Sequence, residues 1–251
     1  MIAVSEVTTV LSIRALRKSF TLHTIDGRTV NSLYGVDLDV HPGEHVALAG
    51  PSGAGKSSLL RCVNRTYLPD SGSVALRVAQ DERVELTELS DRVMARIRGR
   101  EFGYVSQFLN APPRTGPLDV VAATARRRGL DRAEARDAAV DALRRLNLDE
   151  ALWDVDCSVL SGGERQRVNI AAGTVSPPRL LLLDEPVSAL DPANREAALE
   201  LIASLAAQGV AVLAVFHDLA AMRQLASRVV LMRDGRIVGD GAPNEMLEGA
   251  A

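Results

Sequence analysis

The sequence lacks several features that define common protein classes. Only 3% of its 251 residues are aromatic, two are cysteine, and the formal net charge is −3. Two distant cysteines exclude a disulfide-rich miniprotein and fit no metal or redox spacing, so Cys62 and Cys157 are expected to be reduced thiols. Because the charge provides no general attraction to nucleic acid, no nucleic-acid partner is expected. An apolar content of 47% excludes a disordered chain and suffices for a large α/β domain.

Long apolar runs are also missing. The longest, at 180–183 and 210–216, are far shorter than the roughly 18 residues that a membrane-spanning helix needs. Residues 1–10 lack the basic start and apolar core of a signal peptide. We therefore expect a cytoplasmic protein that does not cross a bilayer by itself.

Lysine is nearly absent, since only Lys18 and Lys56 are lysine among 29 basic residues. Such a skew usually reflects genomic base composition. Lys18 has no special context, and a solvated side chain is the expectation there. The skew raises the question of what requires a lysine at position 56.

The apolar pattern predicts an α/β fold. Asp191 followed by Pro192 predicts a helix start. Between about 91 and 157 the pattern changes to helical spacing, which predicts a mostly helical subdomain inserted into the α/β domain. A second helix is predicted at 57–67. Strands are predicted at 11–16, 36–40, 45–49, 180–183 and 210–215, with hairpin turns at 26–27 and 234–235.

A phosphate-binding loop is the most specific local motif. Residues 50–57 match G-x-x-x-x-G-K-[ST] between an apolar strand and a helix. Lys56 is expected to reach the β- and γ-phosphates of ATP, and Ser57 to ligate Mg²⁺. A planar guanidinium substitutes poorly for this ammonium, which explains the retained lysine. The predicted nucleotide-binding residues here are Gly50, Pro51, Ser52, Gly53, Ala54, Gly55, Lys56, Ser57 and Ser58.

Two acids end the apolar strand at 180–183. The carboxyl edge of a parallel sheet faces the ligand crevice. We expect Asp184 to hold Mg²⁺, directly or through water, and Glu185 to orient and deprotonate an attacking water. Alone, the pair is equally compatible with two solvated acids, and the loop at 50–57 favours the catalytic interpretation.

A serine and two glycines open the next informative segment, Leu-Ser-Gly-Gly-Glu-Arg-Gln at 160–166. Ser161 and Glu164 have the spacing of a capping box. The capping box leaves Gly162 and Gly163 unexplained, because each glycine costs about 1 kcal/mol against alanine in a helix. Paired glycines here indicate close approach of an anionic phosphate to the backbone.

The segment 160–166 resembles the signature sequence of the ATP-binding cassette family, and the resemblance covers nearly the whole chain. It implies one α/β phosphate-loop domain over 1–251, with an antiparallel β subdomain and the inserted helical subdomain. It also implies a homodimer or a pair with another cassette ATPase. Each ATP then lies between the phosphate loop of one protomer and the signature of the other, here Ser161, Gly162, Gly163 and Gln166.

The same resemblance assigns further roles. Gln107 looks like the glutamine that links the core to the helical subdomain, where it senses Mg²⁺ and water. His217 looks like the histidine that family members place on the γ-phosphate, although a lone histidine is more often structural. Asp191 lies in a segment like the one that couples protomers, with the helix cap as an adequate alternative. Phe20 is the candidate to stack on adenine, or else a core aromatic.

A narrower resemblance concerns the partner. The segments 67–72, 104–109, 113–114 and 167–171 look like the L-subunit family of the bacterial phosphonate carbon–phosphorus lyase system. That family is named with the synthesis of ribose 1-methylphosphonate 5-triphosphate, and implies soluble lyase core subunits as partners. The alternative is the ATPase subunit of a lipoprotein-release or macrolide-export transporter, peripheral to the inner membrane and bound to a permease.

Two points stay open in the sequence. A clamp that binds ATP without hydrolysing it is a third hypothesis, against which the intact Glu185 and His217 argue. Arginines cluster at 92–100 and 126–128, and they form either a docking face for a partner or an ordinary solvated helix face.

Overall fold

The computed structural model describes residues 9–22, 28–79, 82–216 and 218–248. The predicted turn at 26–27 and the predicted catalytic His217 lie outside these residues. The strands are β1 Leu11–Leu22, β2 Arg28–Val40, β3 His45–Ala49, β4 Ser71–Arg77, β5 Arg83–Glu85, β6 Phe102–Val105, β7 Leu180–Asp184, β8 Ala211–Val215, β9 Arg228–Arg233 and β10 Arg236–Gly241. The α-helices are α1 Lys56–Val63, α2 Asp91–Glu101, α3 Pro117–Arg127, α4 Arg132–Arg145, α5 Gly162–Thr174, α6 Pro192–Ser204, α7 Leu219–Leu225 and α8 Pro243–Leu247.

The first sheet is antiparallel, with strand order β2-β1-β4-β5. β1 pairs with β2 from Leu11 opposite Val40 to Leu22 opposite Arg28. The predicted antiparallel subdomain is therefore confirmed, although β1 runs six residues beyond the strand predicted at 11–16. The pairing bulges where Ala15 adopts a positive φ of 47°.

The second sheet is parallel except for one edge strand, in the order β10-β9-β3-β8-β7-β6. All five residues of β3, of β7 and of β8 are buried, as expected for strands covered on both faces. β3 leads into the loop at 50–55, and β7 ends at Asp184. The parallel arrangement places these two chain segments at the same edge of the sheet, on either side of β8.

The helical region differs from the predicted range. α3 and α4 pack against each other and on α5. However, β6 lies inside the range predicted as helical from 91 and pairs with β7 in the parallel sheet. The strand escapes sequence analysis because it has four residues and includes Gly103. A Cβ at Gly103 would collide with the carbonyl oxygen of Gly173, so close packing of α5 on β6 requires the glycine.

Local turn and cap predictions fit the structure. Asp191 caps α6 by accepting from the backbone N–H groups of Ala193 and Asn194, both at 3.1 Å. The turn between β9 and β10 has positive φ at Asp234 (50°) and Gly235 (72°), as a tight hairpin requires. No helix in the described part of the chain is long and apolar enough to span a bilayer.

Candidate active site

The loop at 50–55 closes around a cavity through three glycines with positive φ. Gly50 (137°) and Gly55 (99°) also lie against neighbouring backbone, because a Cβ there would collide with the carbonyl oxygens of Met232 and Ser32. Gly53 (80°) has no neighbour within 4 Å of a Cβ among the described residues. The first two glycines therefore seat the loop, and the third leaves its inner face open to a ligand.

Lys56 lies inside the loop at the start of α1. Its side chain is buried, and Nζ donates to the carbonyl oxygens of Gly50 at 2.7 Å and Pro51 at 2.9 Å. Burial lowers the pKa of Lys56, while the charge of Glu185 works in the opposite direction. The ammonium is thus held at the centre of a loop whose backbone N–H groups and helix N-terminus favour an anion.

Ser57 and Asp184 form the second part of the site. Ser57 Oγ donates to Asp184 Oδ1 at 3.0 Å, and the Asp184 side chain is only 4% exposed. Two hard oxygen atoms at this edge fit Mg²⁺, which proteins commonly bind through one or two carboxylates together with substrate phosphates. Ser57 and Asp184 are therefore the residues that would hold this ion.

Glu185 follows with a left-handed backbone, φ 56°. Its N–H donates to the Val215 carbonyl at 3.0 Å, and its own carbonyl accepts from Ser188 Oγ at 3.1 Å. Such strained conformations persist where neighbouring bonds enforce them, as these do. Glu185 lines a cavity of about 230 Å³ together with the loop residues; the lining residues are Ser32, Ser52, Gly53, Ala54, Gly55, Lys56, Ser57, Ser58, Glu185 and Val215.

The signature residues lie outside that cavity. Ser161 and Glu164 form the predicted capping box of α5, with bonds of 3.3 and 2.7 Å. A Cβ at Gly163 would lie 3.3 Å from the Ala189 carbonyl, whereas one at Gly162 meets nothing within 4 Å among the described residues. Packing among the described residues therefore gives a reason for Gly163 and none for Gly162.

Gln166 requires a correction. The sequence interpretation groups it with the residues that face the partner's ATP, but its side chain is buried and donates to the Pro186 carbonyl at 2.7 Å. Position 166 lies on the inner face of α5. Gln166 therefore connects the signature helix to the segment after Glu185 within its own chain.

The remaining predicted residues are more dispersed. Gln107 is exposed beyond β6, and Asp191 is occupied as a helix cap. The Phe20 ring is half-buried and stands edge-on to Tyr67, with centroids 5.1 Å apart. Lys18 is not simply solvated, because it pairs with Asp70 at 3.0 Å and lies over the Phe20 ring. The roles proposed for Gln107, Asp191 and Phe20 stay predictions.

Ser32 and Arg61 are two polar neighbours of the site that sequence analysis missed. Ser32 Oγ is 2.8 Å from Ser58 Oγ and lines the cavity. No motif marks Ser32, because it belongs to β2 of the other sheet and reaches the loop only through tertiary packing. Arg61 approaches Asp184 to 3.9 Å from the last turn of α1.

Similar proteins identify the family of this chain. A family model described as "ABC transporter" matches residues 33–188, most of the chain. The chain belongs to the ATP-binding cassette family. The cassette is 39% identical to the lipoprotein-releasing system ATP-binding protein LolD 2 of Caulobacter vibrioides, over 91% of the chain and 96% of that relative. It is 34% identical to the glutamine transport ATP-binding protein GlnQ of Escherichia coli, over 86% of the chain and 87% of the relative.

Solved structures show the same fold. The cassette matches a dimeric post-hydrolysis state of MJ0796 bound to ADP and Pi, with a TM-score of 0.83 and 26% identity over 93% of this chain and 98% of the other. A dimeric structure of MJ0796 described as a bacterial ABC transporter cassette matches with the same TM-score and coverage at 27% identity. The cassette is an ATP-hydrolysing enzyme with the ABC fold.

Proposed function

We propose that this chain is an ATPase subunit that drives a partner protein by closing and opening a cassette dimer. The observation that carries the proposal is that the phosphate loop and the signature segment of one chain do not line the same cavity, so that each is one half of an ATP site. The phosphate loop and Glu185 line one cavity, whereas a Cβ at Gly162, at the start of α5, would meet no described atom within 4 Å. In this proposal a second copy or a related cassette supplies the other half. Two solved structures of a similar chain, MJ0796, support a dimer, since both are dimeric and one is bound to ADP and Pi.

The hydrolytic step follows from the cavity lining. Lys56 and the loop N–H groups hold the β- and γ-phosphates, and Glu185 accepts a proton from water as its oxygen attacks the γ-phosphorus. The bond between the γ-phosphorus and the β–γ bridging oxygen breaks, which leaves ADP and inorganic phosphate. When bound at Ser57 and Asp184, Mg²⁺ neutralises negative charge on the phosphates.

The partner is proposed to be a membrane permease of the lipoprotein-release type. The names of the relatives support this choice, since they include ATP-binding proteins of lipoprotein release and of glutamine transport. In this proposal the chain lies on the cytoplasmic side of the inner membrane, bound to the permease.

A groove of about 770 Å³ is the proposed partner-binding surface. It lies among β6, α3 and α5, and its rim carries Phe108, whose surface is 80% exposed. Arg98 and Arg127, one from each arginine cluster, both line this groove, and Asp119 is an acidic residue of the same lining. An exposed aromatic ring beside basic side chains favours a partner segment that combines apolar and acidic residues.

The carbon–phosphorus lyase system is the second candidate, favoured by where the narrower resemblance falls. Ser106, Phe108, Leu109 and Pro113 line the groove. Asn169, from another of the resembling segments, donates to the Ser106 carbonyl at 2.7 Å. Two segments of that resemblance thus meet at the surface where a partner would bind. The names of the relatives support a transporter instead.

Affinity purification of the tagged chain from cytosolic and membrane fractions separates the candidates. The transporter proposal predicts co-purification, from membranes, of a protein with several membrane spans. Recovery from the cytosol with soluble carbon–phosphorus lyase subunits would overturn it in favour of the second candidate. Phe108→Ala should reduce recovery of the partner, whereas Val238→Ala, a control at another exposed apolar residue (58%), should not.

A further inference from the structure

Asp184 is a buried carboxylate with two partners on one helix. Ser57 Oγ bonds Oδ1 at 3.0 Å, and Arg61 Nη2 faces Oδ2 at 3.9 Å. Residues four apart on an α-helix share a face, so Ser57 and Arg61 approach Asp184 together from α1. Each carboxylate oxygen of this 4%-exposed side chain thereby has its own partner.

Arg61 is itself held in place. Its Nη1 donates to the Tyr67 hydroxyl at 2.9 Å, and the guanidinium carbon lies 5.6 Å from the centre of the Tyr67 ring. Tyr67 in turn packs edge-on against Phe20. A basic residue in the last turn of a helix commonly serves the helix dipole, but these contacts direct the guanidinium towards Asp184.

We propose that Arg61 is a positioning residue for the metal site, which holds Oδ2 of Asp184 so that Oδ1 stays turned towards Ser57, with Tyr67 fixing Arg61. The inference rests on the proposed role of Asp184 as a Mg²⁺ ligand. When Ser57 serves as a ligand too, its bond to Asp184 is given up or shared, and Arg61 remains to orient the carboxylate. Partners of this kind typically change metal affinity 10–100-fold when removed.

Metal affinity, measured without turnover, tests the inference. Free Mn²⁺ is followed by electron paramagnetic resonance during titration of the ADP-saturated chain. Arg61→Met should weaken Mn²⁺ binding about tenfold. Arg61→Lys, which keeps the charge without the planar fork, should weaken it nearly as much, and Tyr67→Phe less but in the same direction. ADP affinity in EDTA should stay at the wild-type value, because Arg61 does not line the phosphate cavity.

Arg144→Met is the matched control. Arg144 also lies 5.6 Å from an aromatic ring, that of Trp153, and also pairs with a carboxylate, Glu150 at 2.8 Å, but on α4. Its replacement should leave Mn²⁺ affinity unchanged. Unchanged or tighter Mn²⁺ binding in both Arg61 variants, with Asp184→Asn still weakened, would overturn the inference alone. Wild-type Mn²⁺ affinity in Asp184→Asn would instead overturn the proposed metal site.

Discussion

The phosphate cavity and the groove beside Phe108 differ in how their side chains are satisfied. In the cavity, Lys56, Ser57 and Ser58 all bond to atoms of their own chain. On the groove, Phe108 is 80% exposed, and no ion pair within the described residues engages Arg98 or Arg127.

The two regions carry different information, the cavity about the reaction and the groove about the proposed partner. A site that binds the same nucleotide in every relative has motif residues fixed by one chemistry. A surface that binds a particular partner is shaped by that partner, and its charged groups can pair with atoms of the partner rather than of the same chain. ATP hydrolysis can accordingly be inferred from the cavity, whereas the identity of the proposed partner would depend on the groove.

The largest effect is expected from replacing Glu185, the proposed general base of the cavity. Glu185→Gln should lower steady-state ATP turnover by about 10²–10⁴-fold, because the amide cannot accept the proton of the attacking water. ATP affinity should remain near the wild-type value, since Lys56 and the loop are intact. Phosphate release and equilibrium ATP binding are the measurements, and normal turnover by this variant would remove Glu185 from its assigned role.

A smaller loss is expected from the signature glycine. Gly162→Val should lower turnover on the order of tenfold by obstructing the approach of the partner's ATP. The free energy of unfolding should change little, because a Cβ there meets nothing within 4 Å in the described chain. Ala133→Val, in the first turn of α4 behind another capping box, is the control and should keep full activity. Equal turnover in both variants contradicts a role for Gly162 between protomers.

Phe108→Ala should reduce partner binding at the groove without changing ATP turnover at the cavity. Basal turnover of the isolated chain should stay at the wild-type rate, and the free energy of unfolding should stay within about 0.5 kcal/mol, as for most exposed positions. Recovery of the partner should fall. Turnover assays and urea unfolding make the comparison, and a drop in basal turnover would show that the two regions are not independent.

The smallest effect concerns pH and lies away from both regions. His45 is buried at the start of β3, and burial lowers its pKa below the ordinary 6.5. His45 is therefore protonated more readily in the unfolded chain than in the folded protein. The stability contributed by neutral His45 is fully present above pH 6.5, and it is lost as the pH falls through the lowered pKa of the folded protein. His45→Asn should lose less stability than wild type between pH 7.5 and 5.5 in urea unfolding. An identical loss would contradict the assignment.

The sequence predicted the parts of the fold that local pattern determines. The buried strands at 45–49 and 180–183 were predictable because all their residues except His45 are apolar. β4 was not predicted, because its pairing with β1 depends on tertiary contacts rather than on the local sequence pattern. The buried Gln166 was missed because α5 is covered on several sides and has no clean polar face. Ser32 carries no motif and enters the site only through the packing of one sheet on the other.

The central claim, a nucleotide site completed by a second protomer, has one most direct test. Sedimentation velocity of the Glu185→Gln chain is measured without nucleotide and with ATP and Mg²⁺, and again with Gly162→Val added. We expect monomers without ATP, closed dimers with ATP, and loss of the dimer in the double variant. Monomers both with and without ATP, or a dimer that forms regardless of ATP and of the Gly162→Val substitution, would contradict a site completed by a second protomer.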